Sequence, residues 1–162
     1  MIRNINYFFQ SLIVYFFFFI GRFIGLRLSR IFFSFLFSLI GPIFKSKKII
    51  NKNLNSFNPN ITEIDKNKII KSMWNNYGMT FVEYIFLGIF RKNNNHMIIK
   101  GEQNISNVLS GKKPVIFISG HFANFELMSM EITKKNINLA TIYRPLNNIF
   151  LNPFMEYLRK KY

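Results

Sequence analysis

The apolar, phenylalanine-rich start of the chain limits what it can fold into more than any other feature. No acidic residue precedes Glu63, and residues 4–21 (NINYFFQSLIVYFFFFIG) form a run of 18 residues without a charge. Because a helix needs about 20 predominantly apolar residues to cross a bilayer, this run is marginal for a span, and the second run, residues 31–44, is short. Twelve of the 21 phenylalanines lie in the first 44 residues, too many for the two-faced helix of a soluble core. We therefore predict membrane association through a spanning or deeply interfacial helix.

Basic residues flank both apolar runs. Arg22, Arg27 and Arg30 form a basic hinge between the runs, and lysines follow the second run at Lys45, Lys47 and Lys48. No small-residue cleavage site follows the first run, which argues against a signal peptide. Cationic flanks favour the cytoplasmic side of a membrane and an anionic leaflet.

Charge and composition narrow the classes of partner. The formal net charge is +15, from 22 lysines and arginines against seven acidic residues, which favours anionic partners. The aromatic residues concentrate in the apolar runs rather than alternate with Lys and Arg on one surface, so nucleic-acid binding is not favoured. The chain has no cysteine and only two histidines, so neither a disulfide scaffold nor a dedicated metal site is expected.

The pattern changes near residue 60, which divides the chain into a membrane-anchoring region, residues 1–60, and an α/β region, residues 61–162. Thr62 and Asp65 have the form of a helix start, and apolar residues at three-to-four spacing predict a helix over about Glu63–Arg91, with Gly78 as a candidate point of interruption. Beyond it, short apolar runs predict strands at residues 97–100, 114–119 and 138–143. Helices are predicted between and after them, over residues 102–109, 124–133 and 152–161. The predicted fold is therefore α/β: membrane-associated helices followed by a partial, mostly parallel sheet flanked by helices.

The histidine at the end of the apolar segment PVIFIS is the strongest candidate for chemistry. Gly120 and His121 follow the predicted strand, and ligand sites of open α/β sheets gather at the carboxyl ends of strands. Five residues separate His121 from Glu126, so the two side chains meet only if the histidine lies in a turn and the glutamate in the first helical turn. Glu126 would then orient the imidazole of His121, which would remove a proton from a substrate hydroxyl, while Asn124 and backbone N–H groups stabilise an oxyanion. The alternative stays open that His121 is a surface or capping residue and that Glu126 merely favours the start of a helix.

Two segments, ISGHFANFELM and TIYRPLNNIFLN, resemble those of the bacterial lipid A biosynthesis acyltransferases, which belong to the membrane acyltransferases with a His-x4-Asp/Glu motif. The segments NKNLNSFNP, GMTFVEYI and IKGEQNI extend the resemblance over nearly the whole chain. Where that family commonly has Gly-Asn-Trp-Glu, this chain has Ala123-Asn124-Phe125-Glu126. The family's catalytic domain continues beyond the segment that corresponds to YLRKKY, so the chain resembles the amino-terminal portion of such an enzyme.

The resemblance implies an acyltransferase of the inner membrane, with its catalytic part on the cytoplasmic side. A fatty acyl group would pass from acyl carrier protein to a hydroxyl of a lipid A precursor, without metal or bound cofactor. By resemblance His121 is the general base, Glu126 its partner, and Arg144 a substrate-binding residue whose planar charge suits a phosphate. Exposed lysines such as Lys134 and Lys135 would steer the acidic carrier protein. Two alternatives stay open: a glycerolipid or lysophospholipid acyltransferase, and a non-catalytic membrane-associated fragment.

Overall fold

A computed structural model describes residues 2–44, 47–111 and 114–162 of the chain. Lys45, one of the basic residues predicted to flank the second apolar run, lies outside the described residues. The α-helices are α1 (Ile2–Phe44), α2 (Lys47–Phe57), α3 (Glu63–Glu83), α4 (Leu87–Lys92), α5 (Glu102–Gly111), α6 (Glu126–Lys134) and α7 (Asn152–Lys161), with 3₁₀ turns at Tyr84–Phe86 and Asn94–His96. The contacts divide the chain into two compact units: a first unit made of the first 15 residues with Phe86–Tyr162, and a second unit, Phe16–Ile85. The predicted boundary near residue 60 stays a prediction, because proximity alone does not show which segments fold independently.

The long helix α1 turns back on itself at Gly25. This residue has φ 78° and ψ 167°, a conformation open to glycine alone, and it separates arm 1 (residues 2–24) from arm 2 (residues 26–44). In a straight helix Phe17 and Phe33 would lie about 24 Å apart, yet their ring centroids are 5.7 Å apart. Ser29 Oγ also donates a hydrogen bond of 2.8 Å to the carbonyl oxygen of Gly21. Within the second unit, residues 17–33 therefore form a helical hairpin, and the basic hinge predicted between the apolar runs contains its turn.

In the second unit, α3 packs against arm 2 in the opposite direction. At one end Arg30 pairs with the buried Glu83, with 2.7 Å between Nε and Oε1. Near the middle of arm 2, the backbone of Phe33 lies so close to Gly78 that it occupies the space a β-carbon on Gly78 would need. The helix is continuous through Gly78, so the interruption considered at this residue does not occur, and the close packing uses its missing side chain.

The start of α3 matches its prediction, whereas its end does not. Thr62 caps the helix: its hydroxyl accepts a hydrogen bond of 3.1 Å from the backbone N–H of Asp65. The helix predicted to continue to Arg91 ends instead at Glu83, and the 3₁₀ turn leads into the separate α4. Leu87, part of the apolar pattern that predicted one continuous helix, is buried in α4, as is Phe90.

The predicted α/β sheet is wrong. Within residues 2–44, 47–111 and 114–162 no strand is present, and the three apolar runs predicted as strands are non-helical segments without sheet pairing. A strand exists only when its backbone N–H and C=O groups pair with a neighbouring strand, and an apolar run specifies side chains rather than that pairing. The side chains of Ile116 and Ile118 are 87% and 93% exposed, so this run is not the buried strand that its composition predicted.

In the first unit, helices α4 and α6 pack together and a loop packs on the start of α1. Arg91 donates a hydrogen bond of 3.0 Å to the hydroxyl of Thr133, which ties α4 to α6. The hydroxyl of Tyr15 donates to the carbonyl oxygen of Phe150 at 2.8 Å, and the ring of Phe8 contacts the Phe150 ring edge-on. These contacts fix the segment that precedes α7.

Residues 2–43 are long and apolar enough to cross a membrane by length and composition. This finding indicates that the amino-terminal region associates with a membrane, which is the broader part of the prediction made from the sequence.

Candidate active site

The turn that carries His121 is tight. The backbone N–H of Phe122 donates a hydrogen bond of 2.9 Å to the carbonyl oxygen of Gly120, which makes His121 the central residue of a three-residue turn. A β-carbon on Gly120 would lie 2.5 Å from Cε2 of the Phe122 ring. Glycine at position 120 thus leaves room for the Phe122 ring, which a larger residue would displace.

Ala123 continues this turn in the left-handed region, with φ 45°. An L-residue other than glycine pays about 1–2 kcal/mol for that conformation. The position is the one at which the resembling family commonly has glycine. The chain thus keeps a turn geometry suited to glycine while it carries alanine there.

Glu126 is the first residue of α6, so the arrangement needed for the predicted pair is present: a histidine in a turn and a glutamate in the first helical turn. The Glu126 side chain is only 12% exposed. Its Oε1 atom accepts two hydrogen bonds from Arg159, at 3.0 Å from Nε and 2.6 Å from Nη2. Both nitrogens meet the same oxygen, so Arg159 holds Oε1 of Glu126 in place.

The imidazole of His121 is exposed and lies against the ring of Phe125, with 4.1 Å between ring centroids. In the described part of the chain neither ring nitrogen of His121 forms a hydrogen bond or ion pair with another residue. A hydrogen bond from His121 to Glu126 stays a prediction. The exposed imidazole is accessible to a substrate.

One cavity of about 560 Å³ in the first unit brings together three of the four predicted site residues. His121, Glu126 and Arg144 line it, whereas Asn124 is not among its lining residues. Apolar side chains contribute much of the remaining wall, including Leu87, Met130, Leu139, Ile142 and Leu158. The cavity combines a titratable imidazole, a carboxylate and cationic side chains with an apolar lining, which suits a ligand with both a polar and an apolar part.

Arg159 also lines this cavity, and sequence reasoning missed it. Its guanidinium group lies 4.9 Å from the centre of the Tyr143 ring, in addition to its two hydrogen bonds with Glu126. The partners are 33 residues apart, in different helices, so no local spacing pairs them. The available signal was the scarcity of acidic residues: a mostly buried carboxylate in so basic a chain is expected to have a cationic partner.

The segment that contains Arg144 is held at both ends by α7. The hydroxyl of Tyr143 donates to Glu156 Oε1 at 2.6 Å, and the backbone N–H of Leu146 donates to Asn152 Oδ1 at 2.8 Å. Asn152 in turn donates to Glu156 at 2.7 Å. The hydrogen bond to Glu156 raises the pKa of Tyr143, and the hydrogen bonds from Tyr143 and Asn152 lower the pKa of Glu156. Arg144 therefore extends from a backbone that is fixed on either side.

Lys134 and Lys135 take part in contacts within the first unit. Lys134 Nζ donates to the carbonyl oxygen of Phe90 at 3.0 Å and pairs with Glu131, while Lys135 pairs with Glu102. These contacts give both lysines structural partners, and their role in steering a carrier protein stays a prediction. Among the described residues, no group of three or more His, Cys, Asp or Glu side chains is arranged to hold a metal ion.

Comparison with known proteins supplies the family. The model of a family described as bacterial lipid A biosynthesis acyltransferase matches residues 2–162. No curated protein and no solved structure matches the chain. Because the family match covers the chain almost from end to end and includes the residues around the cavity, this chain belongs to the bacterial lipid A biosynthesis acyltransferases.

Proposed function

We propose that this acyltransferase moves a fatty acyl group from acyl carrier protein to a hydroxyl of a lipid A precursor, on the cytoplasmic side of the inner membrane. The carrying observation is that His121, Glu126 and Arg144, separated along the sequence, line one cavity in a chain that belongs to this family. The apolar α1 and the basic residues around it support a location at a membrane with an anionic surface.

The chemistry needs one base and one oxyanion site. The Nε2 atom of His121 removes the proton of the acceptor hydroxyl, and the oxygen attacks the thioester carbonyl of the acyl donor. The C–S bond of the tetrahedral intermediate then breaks, and the thiolate recovers the proton from the imidazolium. Backbone N–H groups at the start of α6 stabilise the oxyanion. The contribution predicted for Asn124 has no support from the cavity, whose lining does not include it.

Two carboxylate contacts orient this base. Arg159 holds Oε1 of Glu126, and the Glu126 carboxylate accepts a hydrogen bond from Nδ1–H of His121 and stabilises the imidazolium. Arg144, on its fixed backbone, binds a phosphate of the lipid acceptor or of the carrier's prosthetic group. Substrate phosphates and acyl chains thus meet the cationic and apolar walls of one cavity.

The two histidines of the chain provide a matched test. His121→Ala is expected to lower the rate of acyl transfer from acyl carrier protein to the lipid A precursor by about 10²–10⁴-fold. His96→Ala, at an exposed position against the ring of Phe90, is expected to leave the rate unchanged. Equal rates for His121→Ala and the unaltered chain would exclude the base.

The same assay separates the alternatives. A glycerolipid acyltransferase would prefer glycerol phosphate or lysophosphatidic acid over the lipid A precursor when both acceptors compete. A non-catalytic membrane-associated fragment would transfer no acyl group to either acceptor before any substitution.

A further inference from the structure

Asn148 is a buried polar residue to which the acyl-transfer mechanism gives no part. It lies in the loop between Arg144 and α7, and only 8% of its surface is exposed. We propose that Asn148 is a positioning residue for Arg144: it anchors this loop on the start of α1 and thereby sets the place of the guanidinium group at the cavity. This role rests on the phosphate binding proposed above for Arg144.

The amide group of Asn148 joins the loop to α1 within the first unit. Its Nδ2 atom donates a hydrogen bond of 2.8 Å to the backbone carbonyl oxygen of Tyr7, a residue 141 positions away in the chain. Its Oδ1 atom accepts hydrogen bonds from the backbone N–H groups of Phe150, at 3.0 Å, and of Leu151, at 3.3 Å. One side chain therefore shapes a turn in the loop and also ties that turn to a helix.

Two aromatic residues of α1 contact the same turn. The rings of Phe8 and Phe150 meet edge-on, with 5.6 Å between centroids, and the hydroxyl of Tyr15 donates to the carbonyl oxygen of Phe150 at 2.8 Å. The hydrogen bond of Tyr15 is exposed to solvent, so water can replace either partner. A buried hydrogen bond costs more to lose, because its partners then stay unsatisfied. The loss of Asn148 is therefore expected to loosen the turn more than the loss of the Tyr15 hydroxyl.

The side chain of Arg144 depends on its backbone for its place. It is exposed, and in the described part of the chain its guanidinium group forms no hydrogen bond or ion pair. Pro145 has a fixed φ and restricts Arg144 to extended conformations, so little backbone freedom remains between Arg144 and the turn at Asn148. The hydrogen bonds that join Tyr143 and Leu146 to α7 are both exposed. Asn148 thus supplies the buried anchor of this segment.

Phosphate recognition is sensitive to such an anchor. A guanidinium group binds phosphate through two parallel N–H donors, which requires a defined direction as well as a charge. A displacement of about 1 Å can cost on the order of 10²-fold when geometry is this demanding. His121 lies in a different segment, the turn from Gly120 to Phe122, so a shift of the Arg144 loop leaves the turn of the base in place.

Binding measurements test this role without depending on turnover. Dissociation constants are measured in detergent micelles for two pairs of ligands: the lipid A precursor with and without its phosphates, and acyl phosphopantetheine against acyl pantetheine. In each pair the ratio of the two constants is the phosphate preference. Arg144→Ala identifies which phosphate the guanidinium group binds, since it lowers the preference in that pair.

Asn148→Ala is expected to lower the same preference as Arg144→Ala, by about 10–100-fold. In a chain that already carries Arg144→Ala, it is expected to lower that preference no further. Asn147→Ala is the matched control, because Asn147 is the exposed neighbour and its side chain forms no hydrogen bond with the described residues. This control is expected to keep the preference of the unaltered chain.

Three results would overturn the role of Asn148. One is an equal loss of affinity for both members of each pair, which would mean that Asn148 supports the fold and does not place Arg144. Another is an additive fall of the preference in the double variant. The third is an unchanged preference in Asn148→Ala although Arg144→Ala lowers it. If Arg144→Ala changes neither preference, the phosphate-binding role of Arg144 is itself wrong, while acyl transfer by His121 is judged by its own assay.

Two tyrosines of α1 provide a milder test that applies even when Asn148→Ala does not fold. Tyr15→Phe removes only the hydroxyl that donates to Phe150, and it is expected to lower the phosphate preference by about 2–10-fold. Tyr7→Phe removes a hydroxyl that has no hydrogen-bond partner among the described residues, and it is expected to change nothing. Equal preferences in these two variants would contradict the anchoring of the loop on α1.

Discussion

The chain contains two alanines, and the structure predicts opposite effects when each is changed to glycine. Ala123 has φ 45°, whereas Ala140 is not among the described non-glycine residues with positive φ. Glycine at position 123 stabilises the folded chain by about 1–2 kcal/mol because the left-handed strain is relieved. It also destabilises the folded chain by about 0.4–1 kcal/mol, because glycine gives the unfolded chain more conformational freedom. The expected net result is an increase of about 0.5–1 kcal/mol in the free energy of unfolding. At position 140 only the effect on the unfolded chain remains, so Ala140→Gly is expected to lower the free energy of unfolding by about 0.4–1 kcal/mol.

Urea unfolding in detergent micelles, followed by circular dichroism, measures both changes against the unaltered chain. The sign of the difference in unfolding free energy between the two variants is the decisive result, because both values share the error of extrapolation to zero urea. If Ala123→Gly destabilises the chain as much as Ala140→Gly does, the turn that carries His121 is not in the left-handed conformation. The geometry proposed for the His121 and Glu126 pair would then lose its basis.

Three further predictions concern contacts elsewhere in the structure. Glu126→Gln and Arg159→Gln are each expected to lower the free energy of unfolding. Because the pair is largely buried, their double-mutant cycle is expected to give a coupling energy of about 1–3 kcal/mol. A coupling energy near zero would mean that the two side chains do not meet. Hydrogen bonds lower the pKa of Glu156 below its ordinary value of 4.5, so its contribution to stability is present above that pH and lost as the pH falls through the lowered value. Glu156→Gln is therefore expected to flatten the loss of unfolding free energy below pH 4.5, and an unchanged pH profile would contradict this assignment. Gly78→Ala is expected to cost about 1–3 kcal/mol because the backbone of arm 2 occupies the space of the added methyl group. Gly111→Ala, with open space around it, is the control and is expected to be neutral or slightly stabilising; equal costs would contradict the close packing.

Local signals predicted the helices and the placement of the catalytic candidates. The cap at Thr62 and the first turn of α6 depend on residues within a few positions of one another, and both are confirmed. The helix predicted over residues 124–133 places Glu126 in its first turn, where the structure has it. The family also follows from short ordered motifs, which sequence comparison bears out.

Signals that depend on distant partners failed or were missing. An apolar run at residues 114–119 carries no information about which strand would pair with it, and the sheet inferred from it is wrong. Arg159 was missed for the same reason, since its contact with Glu126 joins two helices that are far apart in the chain.

By itself, the sequence determined that the first 44 residues favour an apolar environment, because their composition provides no extensive polar helix face that could contact water. It also determined that His121 precedes a helix that begins near Glu126. Only the tertiary structure decided that α1 returns at Gly25, since a single glycine permits this conformation without requiring it, and the ring contact of Phe17 with Phe33 shows that it occurs. Only the tertiary structure brought Arg144 and Arg159 to the cavity of His121, because packing between helices, rather than spacing along the chain, sets those distances.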